Sequence, residues 1–585
     1  MRLTLFILHF TATFALAQPP DGAALFATRC ASCHQAAAES RAPALDVLKE
    51  RSPESVVDAL TGGAMRYQGL SLSGTERRAI AEFVTGKTIG SVARDPTAGR
   101  CAKTPAYAPD ATSPWNGWGP TIQHTHVVSR AIAGLAADDL PKLTLKWAFG
   151  FPDATAAWAQ PTISGGRLFV GSQNGSVFAL HAETGCTIWT FEARGGVRTA
   201  ISIGDRRAYF ADQMGHAYAV DAVTGLLVWS RPVDEHPLVR ITGSPVLFEG
   251  RLYVPTSSYE EVGKAPNYPC CTFRGALVAL DAKTGQEIWR RHMIDEPPRV
   301  LGKNARGIES LGPSGGAIWS APTIDARRRV IYVATGNTYS GATQPATDAI
   351  VALDLESGRL LWAKQLHADD VFGCRVGEPN CPERAGPDFD FGASPALVTL
   401  PNGRDVLIVG QKSGMGYALD PDNRGAVQWQ YRAGRGGPLG GIEWGIAADT
   451  HLAYFPVADV GSPQAGGLHA VSMATGARVW FAPPSPLLCR PGRGCSAAQS
   501  AAITVIPGAV LSGAFDGGLR AFSTTDGTKV WEFDTNREFL TVNGVRARGG
   551  SLNGPAPVVI GGMIYVSSGD YRGRSGNVLL ALSAR

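Results

Sequence analysis

Cys30-Ala31-Ser32-Cys33-His34 is the segment whose residue types and spacing define a chemistry most sharply. Two thiols separated by two residues and followed at once by a histidine attach haem c. The sulfurs add to the vinyl groups, and His34 then lies under the iron. A zinc site would need a second ligand pair nearby, and no further cysteine occurs before Cys101. The sixth iron ligand is expected to be Met65, the sole methionine between Met1 and Met214, carried by the flexible stretch Gly62-Gly63-Ala64-Met65. Core packing is the commoner fate of a methionine, but this segment offers one candidate only. Thioether ligation raises the haem potential and suits electron transfer. A second unusual feature is the adjacent pair Cys270-Cys271. A disulfide between neighbours closes a strained eight-membered ring, and strain of that kind persists at functional sites. Of the other cysteines, Cys374 lies close to Cys381 and Cys489 to Cys495. Cys101 and Cys186 are left over, and by elimination they tie the segment after the haem motif to the first repeat.

These groups need elements to hold them. Residues 21–29 read as a helix leading into the haem motif, with Leu25 and Phe26 as packing residues. Ser73 as N-cap and Glu76 at the capping-box position start a closing helix that runs to about Val84. The expectation is a small all-α domain over 18–94 and a linker over 95–140.

From 141 to 585 one phrase recurs: an apolar strand ending Ala-x-Asp, a turn around Thr-Gly, then a tryptophan. It is plain at Ala179…Gly185…Trp189, Ala219…Gly225…Trp229, Ala279…Gly285…Trp289 and Ala352…Gly358…Trp362. Looser copies end at Trp429, Trp480 and Trp531. The eighth copy is split: Val578 to Ser583 supplies its apolar strand, and Leu143 to Phe149, with Trp147, supplies the tryptophan strand. Joining the chain ends in one blade closes a ring and removes sheet edges. The fold class is therefore mainly β, an eight-bladed β-propeller with the all-α domain at its N-terminus. Longer spacing between Trp229, Trp289, Trp362 and Trp429 marks inserted loops, the usual carriers of function.

Composition agrees. The chain has 585 residues, 70 Gly and 39 Pro, the signature of many tight turns. A net charge of +4 with 18% charged residues leaves no electrostatic footprint for nucleic acid. Arg2, the apolar run Leu3 to Leu16 and the small-x-small site Ala15-Leu16-Ala17 read as an export signal cleaved after Ala17. No segment is long enough to span a bilayer as a helix. A periplasmic location follows.

The tryptophan repeats, the adjacent cysteines and the stretch Trp319 to Asn337 resemble PQQ-dependent alcohol dehydrogenases. The fused haem segment and Leu145-Lys146-Trp147-Ala148-Phe149 are most similar to the polyvinyl-alcohol dehydrogenase family, over nearly the whole mature chain. Residues 18–93 resemble small class I cytochromes c, which implies that Pro43 accepts the ring N–H of His34. The resemblance implies pyrroloquinoline quinone (PQQ) stacked on Trp319, with calcium bound by Glu260, Asn337 and Asp390. Glu261 is the rival of Glu260, and Asp388 of Asp390. Asp390 also serves as the base. Phe389 stands where a tryptophan is common. Arg198, Thr242 and Lys412 match contacts to the carboxylates or carbonyls of the quinone, and Trp444 a residue at its rim. In relatives a ring like Cys270–Cys271 lies against one face of PQQ; here it falls in the insert after Glu260, and a similar place in space is expected. Ala317 stands where many relatives have threonine, so one hydrogen bond to the quinone is expected to be missing or supplied elsewhere.

The implied activity is oxidation of an alcohol, a secondary one or a vinyl-alcohol polymer, to the carbonyl compound. PQQ takes the hydride, and haem c passes electrons to a soluble cytochrome c or copper protein. Two alternatives stay open: a sugar or aldehyde dehydrogenase on the same cofactors, and a non-catalytic scaffold propeller, which would lack the Glu–Asn–Asp set and the haem motif.

Overall fold

The computed structural model describes residues 20–584 apart from 36–41, 52, 62–64, 70–71, 89–97, 105, 108–114, 262–267, 305, 374–384, 493 and 571. The export signal and the Cys374–Cys381 pair lie outside the described residues.

The N-terminal unit is helical. Asp21 caps Gly22–Arg29 by accepting the amides of Ala23 and Ala24. Ser73 and Glu76 form the expected capping box on Gly74–Thr85, which ends at Gly86 in the left-handed region. Between these helices lie Leu45–Lys49 and Pro53–Thr61. Phe26, Leu60, Leu72, Ile80 and Val84 form the core, with Cys30 and Met65 packed against it. Cys30 of the haem motif and the methionine thus share one apolar cluster.

Eight four-stranded antiparallel sheets follow. Blades 1 to 7 span 162–192, 202–232, 246–292, 323–365, 396–432, 447–482 and 504–534. Blade 8 is assembled from both ends of the region: Thr144–Gly150 pairs with Val578–Ser583, Thr144 opposite Ser583 and Gly150 opposite Val578. The split repeat therefore closes the ring as the sequence pattern predicts.

The repeat phrase is a staple between blades. Each tryptophan lies on the fourth strand of its blade, and all but Trp531 cover the turn glycine of the next. A Cβ at Gly185 would lie 2.7 Å from the Trp147 ring, and one at Gly225 2.7 Å from Trp189. The φ angles there, +72° and +75°, also demand glycine. The indole N–H of Trp189 donates to the Ala222 carbonyl at 3.1 Å, and that of Trp229 to Ala282 at 3.0 Å. Deleting such a buried indole costs about 3–5 kcal/mol.

Part of the segment read as a linker is integral to the ring. Residues 115–133 pass across the first strands of successive blades and satisfy their open edges. Trp115 O accepts Ile163 N, Ile122 O accepts Ile324 N, Gln123 O accepts Leu397 N, and Thr125 O accepts Ala448 N. His126 O accepts Val505 N, and Ile132 O accepts Gly561 N. This belt buries His124 and His126, 2% and 1% exposed. Burial pulls His124 down to about 4 and His126, which also faces His124, to about 3. Both are neutral when folded and protonate near 6.5 when unfolded. The stability they contribute is present above pH 6.5 and is lost as pH falls through the folded values. By pH 5 each should withdraw about 2 kcal/mol. The expected result is an unfolding midpoint that drops between pH 6.5 and 4, with a smaller drop in a His124→Gln/His126→Gln protein, read by calorimetry across pH.

The Cys101–Cys186 disulfide predicted by elimination is formed, as is Cys489–Cys495. The first fastens the chain ahead of the belt to blade 1.

Candidate functional site

Several of the expected residues, from loops that precede the first strands of different blades, meet in one place. Arg198, Thr242, Trp319 and Trp444, with Trp158 and the belt's Trp118, line a small cavity on the ring axis. Trp319 and Trp444 pack edge to face with centroids 4.9 Å apart at 73°. The Arg198 guanidinium lies 4.1 Å from the Trp444 ring centre. Thr242 Oγ1 accepts Ser257 Oγ–H at 3.0 Å.

Asp390 is held from three sides. Trp319 Nε1 donates to its Oδ2 at 3.1 Å, and the Asn337 amide donates to its Oδ1 at 2.8 Å. Lys412 Nζ lies 3.5 Å from Oδ2 and donates to Asp388 Oδ1 at 2.5 Å. Burial pulls Lys412 down, but Asp388, Asp390 and Glu261 more than offset that and hold it charged above the ordinary lysine range. Two glycines that the sequence reading passed over make room. A Cβ at Gly336 would lie 2.8 Å from Asp390 Oδ1, and one at Gly392 would lie 1.8 Å from the Trp319 ring. Each sits beside a site residue in sequence, the one signal that pointed to it.

The two neighbouring glutamates lie in different places. Glu260, expected at the metal, clamps the loop that carries the cystine. Its Oε1 accepts Thr272 N at 2.8 Å and Tyr268 Oη–H at 3.1 Å, and its Oε2 accepts Phe273 N at 2.7 Å. The Glu261 carboxylate instead gathers with Asp388 and Asp390, their oxygens within 4.8 Å of one another. The two carboxylates diverge in the turn that follows the short strand Ser257–Ser258.

The site fits a hard cation. Three carboxylates face one ammonium, and Asn337 Oδ1 is buried without a protein partner among the described residues. Asn337 Nδ2 is fixed by the carbonyls of Thr338 and Phe372, which turns Oδ1 the other way. Nearby Asp348 is driven well above the usual carboxylate range by burial and by Asp390, Asp370 and Asp388. An all-oxygen, acid-rich set is the chemistry of calcium-like ions.

Cys270 and Cys271 are bonded to each other through a cis peptide. They pack with Phe273, Ala317 and Tyr339, and Trp319 lies against the same cluster. The cystine therefore reaches the tryptophan despite its distance along the chain.

In the helical unit His34 is buried, and its Nδ1 meets the Pro43 carbonyl at 2.7 Å, which leaves Nε2 for a metal. Cys30 and Cys33 form no disulfide. This unit docks on blade 1: Arg78 pairs with Asp153, and Gly74 sits against the Asn174 carbonyl. Arg77 Nε donates to Gly69 O at 3.1 Å, and the Gly69 amide bonds to Met65 O, so the docking helix also supports the methionine loop.

Comparison with known proteins agrees with this picture. A profile described as outer membrane protein assembly factor BamB matches residues 141–307 and 460–585; one described as cytochrome C oxidase, cbb3-type, subunit III matches residues 17–84. A polyvinylalcohol dehydrogenase from Pseudomonas sp is 40% identical over 604 residues, 96% of this chain and 93% of that protein. A second, from Sphingopyxis sp., is 39% identical and covers 96% and 92%. Among solved structures, the quinohemoprotein alcohol dehydrogenase from Comamonas testosteroni superposes with a TM-score of 0.60 at 18% identity, covering 81% of each chain. A europium-containing methanol dehydrogenase gives 0.59 at 15% identity, covering 80% of this chain and 98% of the other. At that identity the two structures bear on the fold alone. No described helix is long and apolar enough to cross a membrane.

Proposed function

The chain belongs to the polyvinyl-alcohol dehydrogenase family, PQQ-dependent alcohol dehydrogenases with a haem c domain, and from that premise we propose that it oxidises secondary hydroxyls of a vinyl-alcohol chain to ketones at the mouth of the propeller channel. The observation that carries the reading is Asp390, held between the Trp319 indole, the Asn337 amide and the Lys412 ammonium.

PQQ supplies the hydride acceptor, and a divalent ion such as calcium supplies Lewis acidity at its reactive carbonyl. Trp319 and the Cys270–Cys271 ring would flank the quinone plane. Arg198 and Lys412 would meet its carboxylates and carbonyl oxygens, with Thr242 as a neutral partner. Glu261, Asn337 and Asp390 would hold the ion, while Glu260 keeps the cystine loop in place. Asp390 accepts the hydroxyl proton of the substrate as general base. Its two donated hydrogen bonds aim the carboxylate, and Lys412 stays charged beside it through the working pH range.

Cys30 and Cys33 would attach a haem c and His34 and Met65 would ligate its iron, and the group would supply one-electron transfer away from the quinone. The acceptor beyond is a soluble cytochrome c or copper protein. Export to the periplasm fits the N-terminal signal pattern, the covalent haem motif and the disulfides.

The test is reconstitution followed by a substrate panel. Chelated, quinone-free protein should be inactive and should recover turnover only with both calcium and PQQ. Its kcat/KM should then rise with the length of 2,4-diol oligomers and exceed that for ethanol or glucose. A clear preference for glucose or ethanol would remove the polymer substrate and leave the quinone chemistry standing.

A further inference from the structure

Glu443 directly precedes Trp444, yet nothing in the proposed chemistry uses it. It is 5% exposed, and its Oε1 has no protein partner among the described residues. Its Oε2 meets Ser500 Oγ. Ser500 Oγ lies also 2.8 Å from Asn553 Oδ1, and Asn553 Nδ2 donates to Asp570 Oδ2 at 2.9 Å. Asp570 Oδ1 accepts the Arg572 amide at 2.7 Å.

Counting hydrogens along this chain fixes its direction. Asn553 presents its NH2 to Asp570 and its carbonyl to Ser500. Ser500 has one hydrogen, and Asn553 Oδ1 needs it. Ser500 can then meet Glu443 only as an acceptor, which requires a proton on Glu443 Oε2. Were Glu443 ionised, two acceptors would compete for one hydrogen in a buried site, and the loser would bear the full cost of an unmade bond, about 1–3 kcal/mol.

We propose that Glu443 is a neutral carboxylic acid in the working enzyme, and that this neutrality lets a polyanionic quinone bind beside it. The second half rests on the PQQ reading above. Burial, the largest influence on the group, raises its pKa; Ser500, Lys412 and Arg572 pull the other way, and Asp570 adds to the rise. These are the charged and polar groups that face it, from blades 5, 7 and 8. An ionised Glu443 would set a like charge against a tricarboxylate held next to Trp444. The sign follows: binding is favoured while Glu443 keeps its proton and is lost as pH rises through its pKa.

Two measurements on the full chain test this. Infrared difference spectra of quinone-free protein across pH should contain a protonated-carboxyl band that disappears on titration and is missing in Glu443→Gln. Asp348 also titrates high, so subtraction of the Glu443→Gln spectrum isolates the band. Ser500→Ala, which removes the acceptor of the proton, should shift the same band and serves if Glu443→Gln fails to fold. PQQ affinity, read by quenching of tryptophan fluorescence, should fall by up to roughly tenfold per pH unit above that titration. In Glu443→Gln the same pH dependence should vanish. A spectrum without the Glu443 band overturns the neutral acid. An unchanged pH dependence in Glu443→Gln overturns its role in binding. PQQ that binds wild-type protein at no pH overturns the cofactor reading, and the infrared band then decides the protonation state by itself.

Discussion

Asp390→Asn should lower kcat with an artificial acceptor by roughly 10²–10⁴-fold, the range for removing a general base, while PQQ and haem content stay near wild type. The amide has almost the volume of the carboxylate but cannot take a proton. It also loses one of the two bonds that aim the group, because one of its atoms becomes a donor facing either Trp319 Nε1 or the Asn337 amide. Lys412 keeps its 2.5 Å bond to Asp388, so the ammonium stays in the site and quinone binding keeps that charge. Quinone content by absorbance and turnover with a dye separate the two effects. A variant that retains a tenth or more of wild-type kcat would remove Asp390 as the base and turn attention to Glu261 or Asp388, the other carboxylates within reach. Loss of bound quinone in step with activity would make Asp390 a ligand of the cofactor assembly and leave its role as base unsupported.

The ring was legible in the sequence because its repeat phrase is local. Tryptophan, turn glycine and Ala-x-Asp strand fall within one repeat, and the same contact recurs seven times, so the pattern survives variation in loop length. The split eighth blade followed from the two incomplete copies at the ends. The belt over 115–133 was not legible, since it binds through main-chain carbonyls to strand edges and leaves no periodic trace in side-chain type. Trp319, Asn337, Asp390 and Lys412 were picked out by resemblance to the PQQ-dependent family, and they converge because blades 4 and 5 are adjacent. The choice between Glu260 and Glu261 was beyond the sequence: one residue of phase at a turn decides which carboxylate faces Asp390 and which anchors Phe273 and Thr272. Glu443 was overlooked for a related reason. Read along the chain, it is a charge beside Trp444; its meaning comes from Ser500 and Asn553, which only the closing of the ring brings to it.

Met65→Ala should divide the reaction in two. In the fold, Met65 packs against the apolar core of the helical unit, and its carbonyl is bonded to the Gly69 amide at 3.0 Å, with Gly69 in turn held by Arg77 of the docking helix. Removing the thioether takes away the proposed sixth ligand but not the thiols or His34, whose Nδ1 remains tied to Pro43. Covalent haem should therefore persist at one per chain, with loss of the low-spin His/Met spectrum. Thioether ligation raises the haem potential, so the variant potential should fall, each ~59 mV costing tenfold in the one-electron equilibrium from the reduced quinone. Alcohol oxidation by an artificial acceptor that draws on the quinone directly should stay near wild type, because Asp390, Lys412 and Trp319 all belong to the propeller. Turnover with a cytochrome or copper-protein acceptor should collapse. An unchanged spectrum would assign the axial position to another residue. Equal loss with both acceptors would show that the methionine loop, through Gly69 and Arg77, shapes the quinone site itself as well as the exit path of the electrons.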